Sequence, residues 1–410
     1  MLDLKYVREN LEEVKKKIAT RCQFKCDVAN VLKLDEERRS IQARIEMLRS
    51  EQNKLAKEGK RSDRAVEIKN MIKDLEPQLL EAEENFKVEA VKLPNIPLPD
   101  VPEGKDESQN KIMKNVGEIK IKKGLDHVEI GKNLDLIDIE RAGKVSGSRF
   151  YYLKNEAVEL EFALIKYAME IIKKEKFQPM NPPILIKEEM AWGSGHFEAT
   201  NDDAYHLKND ELVAIGTAEQ SILPYYTDEI LEDLPQRFVG FSTNLRREAG
   251  SYGKDTRGIF RVHQFGKLEM FTFSRPEDSE KELGLIVELE EKIMKGLELP
   301  YRVVKLCTGE LGMPAAKTID IETWLPGQGQ YRETHSSSNC TDFQARRLNI
   351  RYRKSGVGGQ TTEFVHTING TAVAIARMLI AILENYQEKD GSVKVPKVLH
   401  KYIDFKEIKR

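Results

Sequence analysis

Leu245–Phe265 reads LRREAGSYGKDTRGIFRVHQF: two adjacent arginines, a glutamate, a charged glycine-rich loop, then an alternating run. Arg246, Arg247, Glu248, Lys254, Asp255, Arg257 and Arg261 crowd together here, with apolar residues on both sides. If 258–273 is a strand, successive side chains point to opposite faces. Arg261, His263, Phe265, Lys267 and Glu269 then share one face, and Phe260, Val262, Leu268 and Met270 the other. In the preceding strand Arg246 and Glu248 also share a face. One face is core, and the opposite one offers cations, an aromatic ring and an acid. A solvated sheet face laced with cross-strand ion pairs has the same pattern. The stretch alone leaves both readings open.

Three features further along bear on the choice. Arg377 is the only charge between Thr371 and Leu383, in a run read as a buried helix, and a buried guanidinium needs an anion. An internal salt bridge would serve, but Asn369-Gly370 just before it permits close backbone approach to a ligand. GTAEQ (216–220) places Thr217 and Glu219 in a polar break between apolar runs. YRETHSSSNCTDFQARR (331–347) clusters Glu333, Ser336, Ser337, Ser338 and Asn339 between strand-like residues. Together these supply acid, hydroxyl and guanidinium groups for a small polar substrate and a polyphosphate. Neither G-x-x-x-x-G-K-[ST] nor G-x-G-x-x-G occurs, so an ATP site would be built from arginines.

The rest of the 410-residue chain sets the frame. It is 40% apolar and 33% charged with net charge −2, so any basic surface is local. Residues 1–92 hold almost no glycine or proline and read as helix throughout. Ile41, Ile45, Leu48 and Leu55 follow a heptad seam with Gln52 in the vacant slot; Ile68, Ile72, Leu75, Leu79, Ala82 and Phe86 continue it. EGKRSDR (58–64) breaks the pattern, which predicts an antiparallel hairpin with arms about 40–45 Å long. Residues 92–110 place four of the fifteen prolines within nine positions, as a linker does.

Beyond it, AVELEFALIKYAMEIIKKEKF and TAVAIARMLIAILENYQ read as helices, FQPMNPPILI as extended chain, and RFVGFSTNL and GIFRVHQFGKLEMFTFS as strands. The expected fold is α+β on a mostly antiparallel sheet. Cys22 and Cys26 lack the partners of a zinc set, so none is expected. MLDLKYVREN has no apolar signal core, and AVAIARMLIAIL is too short to span a bilayer. A soluble, intracellular protein is expected.

Along essentially its whole length the chain resembles the bacterial-type seryl-tRNA synthetase family of class II aminoacyl-tRNA synthetases. LDLKYVREN, the hairpin, NIPLPDVPEGKDE and KVSGSRFYYL fit in order. FQPMNPPILI resembles the first class II motif, LRREAGSYGKDTRGIFRVHQF with KLE the second, and HTINGTAVAIAR with ILENYQ the third. The resemblance implies a tRNA-binding helical arm over 1–105 and an antiparallel-sheet catalytic domain over 106–410. It implies ATP-dependent activation of serine to seryl-adenylate and transfer to tRNA(Ser), with tRNA(Sec) a further candidate.

By resemblance, Arg246 grips the α-phosphate and the carboxylate, Glu248 holds the adenine amino group, and adenine stacks on Phe265. Arg261 and Arg377 hold the terminal phosphates. Arg247, Glu333, Thr334, His335 and Ser336 complete the ATP set, with Glu333 and Ser336 also meeting a magnesium ion. Thr217, Ala218, Glu219, Arg246, Glu269 and Thr371 match the serine pocket. Lys54, Lys57, Lys60, Arg61, Arg64 and Lys69 at the arm tip match the tRNA contacts. A cytoplasmic homodimer away from membranes is implied as well. Three departures stand out: Gly266 where an acid is usual, THSSSN for ISSCSN, and NGTAVAIAR for NGSGLAVGR. Gly266 should alter packing rather than chemistry.

Two other classes resemble parts of this chain. An adenylate-forming enzyme that charges a carrier protein would lack the hairpin over 28–90. A non-catalytic coiled-coil RNA-binding protein should have lost at least one of Arg246, Glu248, Glu269 or Arg377, and all four are present.

Overall fold

The computed structural model describes residues 1–57, 63–196, 203–249, 253, 255, 257–354 and 361–410. It divides into two units, Met1–Ile96 and Pro97–Arg410. The sequence boundary at 105/106 falls later because the proline-rich segment is tied to the second unit. Leu98 N–H bonds the Ala316 carbonyl, and Thr308 N–H bonds that of Pro102. Asp100 pairs with Lys317 at 2.8 Å.

In the first unit, Asp3 caps the short helix Leu4–Glu9, and Leu11–Ala19 follows it. Helix is not continuous as expected from 1–92: it breaks after Ala19 and restarts at Val28, where Asp27 accepts from Ala29 N–H and Asn30 N–H. Helices α1 (Val28–Lys57) and α2 (Asp63–Ala90) then form the hairpin. Ile45, Leu48, Ile68, Ile72 and Leu75 are its buried seam, flanked by Ile41, Leu55 and Leu79, as the heptads predict. Asp35, 1% exposed, is held by Arg8, Arg38 and Arg39 within 3.0 Å, so its buried charge is paired.

The second unit is built on eight strands: β1 (Lys111–Val116), β2 (Gln178–Met180), β3 (Gln236–Leu245), β4 (Gln264–Ser274), β5 (Tyr301–Lys305), β6 (Lys317–Leu325), β7 (Gln330–Asn339) and β8 (His366–Ala374). Their order is β1-β5-β6-β7-β8-β4-β3-β2. Only the β2–β3 pair is parallel. Alternation splits the sheet cleanly. Leu268, Met270, Ile319 and Ile321 enter a core shared with helices α3 (Glu156–Ile172), α4 (Ser279–Gly296) and α5 (Ile375–Asn385). Lys267, Glu269, Thr318, Asp320 and Glu322 face a cleft on the other side.

Several elements differ from the sequence reading. β4 starts at Gln264 rather than 258, and β3 ends at Leu245, so neither Arg261 nor Arg246 and Glu248 are placed by strand alternation. Glu248 has a φ of 53°, and this left-handed residue turns the chain off the sheet. Thr371–Ala374 belong to β8, and the helix begins only at Ile375. A stretch buried on every side carries no periodicity to separate strand from helix. The serine run 336–338 lies within β7, near its C-terminal end. FQPMNPPILI divides between two sheets: β2 lies at the edge of the large one, and Leu185–Lys187 pairs with Leu212–Ala214 in a small one.

Gly370 is needed for a reason other than the ligand approach expected from Asn369-Gly370. A Cβ there would sit 2.3 Å from both Ile286 Cγ2 of α4 and Ser337 Oγ of β7. Gly370→Ala should therefore destabilise by about 1–3 kcal/mol through overpacking. Equilibrium denaturation with an unchanged midpoint would contradict this.

Candidate active site

The cleft has a volume of about 1380 Å³ and is lined wholly from the second unit. At its floor Glu269 of β4 lies directly across from Thr371 of β8, at a register shift between Leu268 and Glu269. Thr217 Oγ1 is 3.5 Å from Glu269 Oε2, and Lys267 Nζ is 2.5 Å from the same oxygen. Both threonines, Lys267 and Glu269 are buried. Burial pushes the Glu269 carboxyl up, and the lysine beside it only partly pulls it back. Glu219 is buried too, but Gln344 Nε2 donates to Oε1 at 2.6 Å and His196 Nε2 lies 3.4 Å from Oε2. Burial acts to raise its carboxyl, yet these partners hold it below the ordinary value. Ala218 does not line the cleft and packs into the adjoining apolar cluster.

Guanidinium groups form the upper wall. Arg246 Nε donates to the Gly216 carbonyl at 3.0 Å, and its guanidinium lies 5.2 Å from the Phe265 ring centre. Desolvation lowers its proton affinity, which Glu248 opposes. Although off the ladder, Arg246 N–H still bonds the His263 carbonyl at 2.9 Å. Arg261 Nη1 donates to Glu248 Oε2 at 2.7 Å. Arg332 grips Asp255 through two nitrogens, at 3.0 and 2.7 Å. Arg332 and Arg377 both lie over the Phe260 ring, at 4.0 and 4.7 Å. The anion that Arg377 requires is Glu333: Nη1 donates to its Oε1 at 2.7 Å and to its carbonyl at 3.1 Å. Desolvation raises the Glu333 carboxyl, but Arg377 holds it below the usual range.

Glu333, Thr334 and Ser336 reach the cleft, whereas His335 and Arg247 do not. His335 is fully buried, and desolvation lowers it to about 4, so it is neutral. The Arg247 side chain is exposed, while its N–H bonds the Asp203 carbonyl at 2.7 Å. Over Gly266 lies Glu161 of α3, its Oε1 3.1 Å from where a Cβ would stand. The position thus faces away from the cleft, toward Glu161, Ile375 and Phe241.

Composition could not reveal some contributors. Lys267 stood on the predicted face without a role, and Arg332 and Gln344 come together with the site only in three dimensions. Asp320 lies between Thr318 and Glu322 in the alternating strand KTIDIETWL, and the sequence alone does not single it out. His127 is missed too: its Nδ1 bonds buried Glu384 at 3.0 Å, and its Nε2 accepts from Ile259 N–H at 3.2 Å. This fixes the tautomer and pins the chain entering β4. Gly258, with φ of 87°, admits the ring 2.1 Å from where its Cβ would be.

At the arm, Lys54, Lys57 and Lys69 are exposed. Arg64 instead bridges the hairpin, pairing with Glu51 at 2.9 Å and Glu67 at 3.3 Å. Lys60 and Arg61 lie outside the described residues. Among the described residues, no group of three His, Cys, Asp or Glu is arranged to hold a metal, and no helix is long and apolar enough to cross a membrane.

Comparison with known proteins bears on both units. A family model for the seryl-tRNA synthetase N-terminal domain matches residues 1–97. A model for the class II tRNA synthetase core domain (G, H, P, S and T) matches 202–386. Serine–tRNA ligase of Dictyoglomus thermophilum is 46% identical over 426 residues, spanning 100% of this chain and 99% of that one. The crystal structure of seryl-tRNA synthetase from Pyrococcus horikoshii complexed with ATP superposes with a TM-score of 0.91 at 43% identity, covering 100% and 99% of the two chains. Cytoplasmic serine–tRNA ligase from Naegleria fowleri in complex with AMP gives 0.86 at 32% identity, over 98% and 96%.

Proposed function

The chain belongs to the seryl-tRNA synthetase family of class II aminoacyl-tRNA synthetases, and from that premise we propose how its cleft activates serine and passes it to tRNA. The serine carboxylate attacks the α-phosphorus of ATP, forming seryl-adenylate and releasing pyrophosphate. The terminal ribose hydroxyl of tRNA then attacks the seryl carbonyl, and AMP leaves. A carboxylate nucleophile is already ionised at neutral pH, so catalysis is positioning and charge stabilisation.

The observation that carries this reading is the facing pair Glu269 and Thr371, with Thr217 on the same carboxylate and Arg246 above. These groups suit an amino acid with a hydroxyl side chain. Arg246 would meet the serine carboxylate and the α-phosphate, and Phe265 would stack adenine. Glu248 would take the adenine amino group once Arg261 turns from it toward the phosphates. Arg377, ion-paired with Glu333 here, would hold the terminal phosphates with Arg261, and Glu333 would meet the nucleotide's magnesium ion. Glu219, fully engaged by Gln344 and His196, supports the pocket wall behind Thr217. Of the ATP set implied by resemblance, His335 and Arg247 act through the strand and the loop rather than by side-chain contact.

Magnesium fits the donors present, because Glu333 and Ser336 offer only hard oxygen ligands on one wall of the cleft. Held there, it would neutralise phosphate charge. The helical arm of the unit Met1–Ile96 would hold tRNA(Ser), with tRNA(Sec) a second substrate, and the unit Pro97–Arg410 would be the catalytic domain. The proline-bearing edge strand β2 favours a homodimer in which a twofold copy covers it. Translation is the setting that makes a cytoplasmic location the natural one.

Serine-dependent ATP–pyrophosphate exchange, followed by charging of tRNA(Ser) and tRNA(Sec) transcripts, tests the proposal. Exchange with serine but no charging of any tRNA would favour a carrier-charging enzyme. Neither activity would favour a binding protein. Hydroxyl recognition predicts that Glu269→Ala and Thr371→Val weaken serine use far more than ATP affinity. Pockets that bury partners for a hydroxyl reject its absence by roughly 10⁴–10⁵. Normal serine activation in both variants would displace the pocket from this site.

A further inference from the structure

The cleft face of β6 carries Thr318, Asp320 and Glu322 in alternation. Its two flanking acids have cationic partners: Arg302 is bonded to Glu322, and Arg377 lies 2.7 Å from Glu333. Asp320 has none. It is 7% exposed, no ion pair among the described residues reaches it, and its Oδ1 lacks any hydrogen-bond partner. The Ser336 hydroxyl, which strand pairing sets directly opposite, hydrogen-bonds its carboxyl, and the acids Glu333 and Glu322 lie close by. Ile319 and Ile321 point to the core, so Asp320 must point to the cleft. A buried carboxylate with an empty lone pair is costly unless something electropositive completes it.

We propose that Asp320 is a third protein ligand for a divalent cation bound with the nucleotide, acting with Glu333 and Ser336. This rests on the proposed ATP chemistry of the cleft. Three oxygen donors from β6 and β7 leave about half of an octahedral shell for phosphate oxygens and water, the habit of magnesium at nucleotide sites. The position also separates two jobs. Glu333 is shared with Arg377, whereas Asp320 has no other partner and can serve the cation alone.

The test uses full-length protein, Mn²⁺ as the probe and a non-hydrolysable ATP analogue. Free Mn²⁺ is read by electron paramagnetic resonance without turnover. Asp320→Asn should weaken Mn²⁺ binding at least tenfold, the lower end of what losing even an outer-shell partner costs. Analogue affinity in EDTA should not change. Metal-free Asp320→Asn should melt no lower than wild type, because the amide removes an unpaired buried acid, and Mn²⁺ should stabilise only the wild type. Equal Mn²⁺ affinity in the two proteins would overturn the assignment. So would a metal-free variant that melts lower, since Asp320 would then be serving the fold. Absence of serine exchange in the wild type would sink the functional reading while leaving the Mn²⁺ comparison standing.

Discussion

Replacing Arg246 with alanine is expected to lower serine-dependent pyrophosphate exchange by about 10²–10³, the range for removing one preorganised donor from a transition state. The geometry makes the side chain hard to replace. Its Nε is anchored on the Gly216 carbonyl and its plane lies over Phe265, so two contacts fix the direction of the free nitrogens. Arg246→Lys should recover little, because an ammonium cannot keep the anchor and present a planar fork together. The loss should fall on kcat as well as on substrate affinity, since charge on the α-phosphate develops during attack. Exchange within a fewfold of wild type for the alanine variant would remove Arg246 from the reaction.

The second large effect concerns the arm. Exchanging residues 36–87 for a short linker should leave serine-dependent exchange nearly intact, because every residue lining the cleft lies between Glu107 and Arg377. Charging at physiological salt should be almost abolished if the arm grasps tRNA. Phosphate contacts position without reading sequence, and their loss flattens the salt dependence of binding. Changing Lys54, Lys57 and Lys69 to alanine should reduce the log–log slope by up to about 0.9 per lost contact, taking the duplex DNA value. Arg64 is a poorer probe, since its pair with Glu51 joins α1 to α2 and its pair with Glu67 lies within α2, so its side chain is already engaged in the hairpin. Unchanged tRNA affinity after removal of the arm would make it a spacer.

Among the corrected elements, the two class II motifs are instructive. The second motif pointed to the right residues through partly wrong geometry. Arg261 and Phe265 do share the cleft, but Arg261 reaches it from an irregular segment pinned by His127 and Gly258 rather than from a strand. In the third motif, the switch from β8 to α5 at Ala374 and Ile375 is invisible in a run of small apolar residues. Tertiary burial on every side erases the period that would mark it.

Local pattern was sufficient wherever one face of an element meets water. The heptads of Ile45, Leu48, Ile68, Ile72 and Leu75 set the hairpin, and alternation over Lys267–Met270 set which side chains enter the cleft. Partnership was not legible, because it joins residues far apart in the chain. That Arg377 answers Glu333, that Gln344 occupies Glu219, that α4 forbids a side chain at Gly370, and that no ion pair among the described residues reaches Asp320 follow only from the sheet order. Solvent writes its periodicity into neighbouring residues. Electrostatic pairing acts through space, and only the folded chain brings its members within reach.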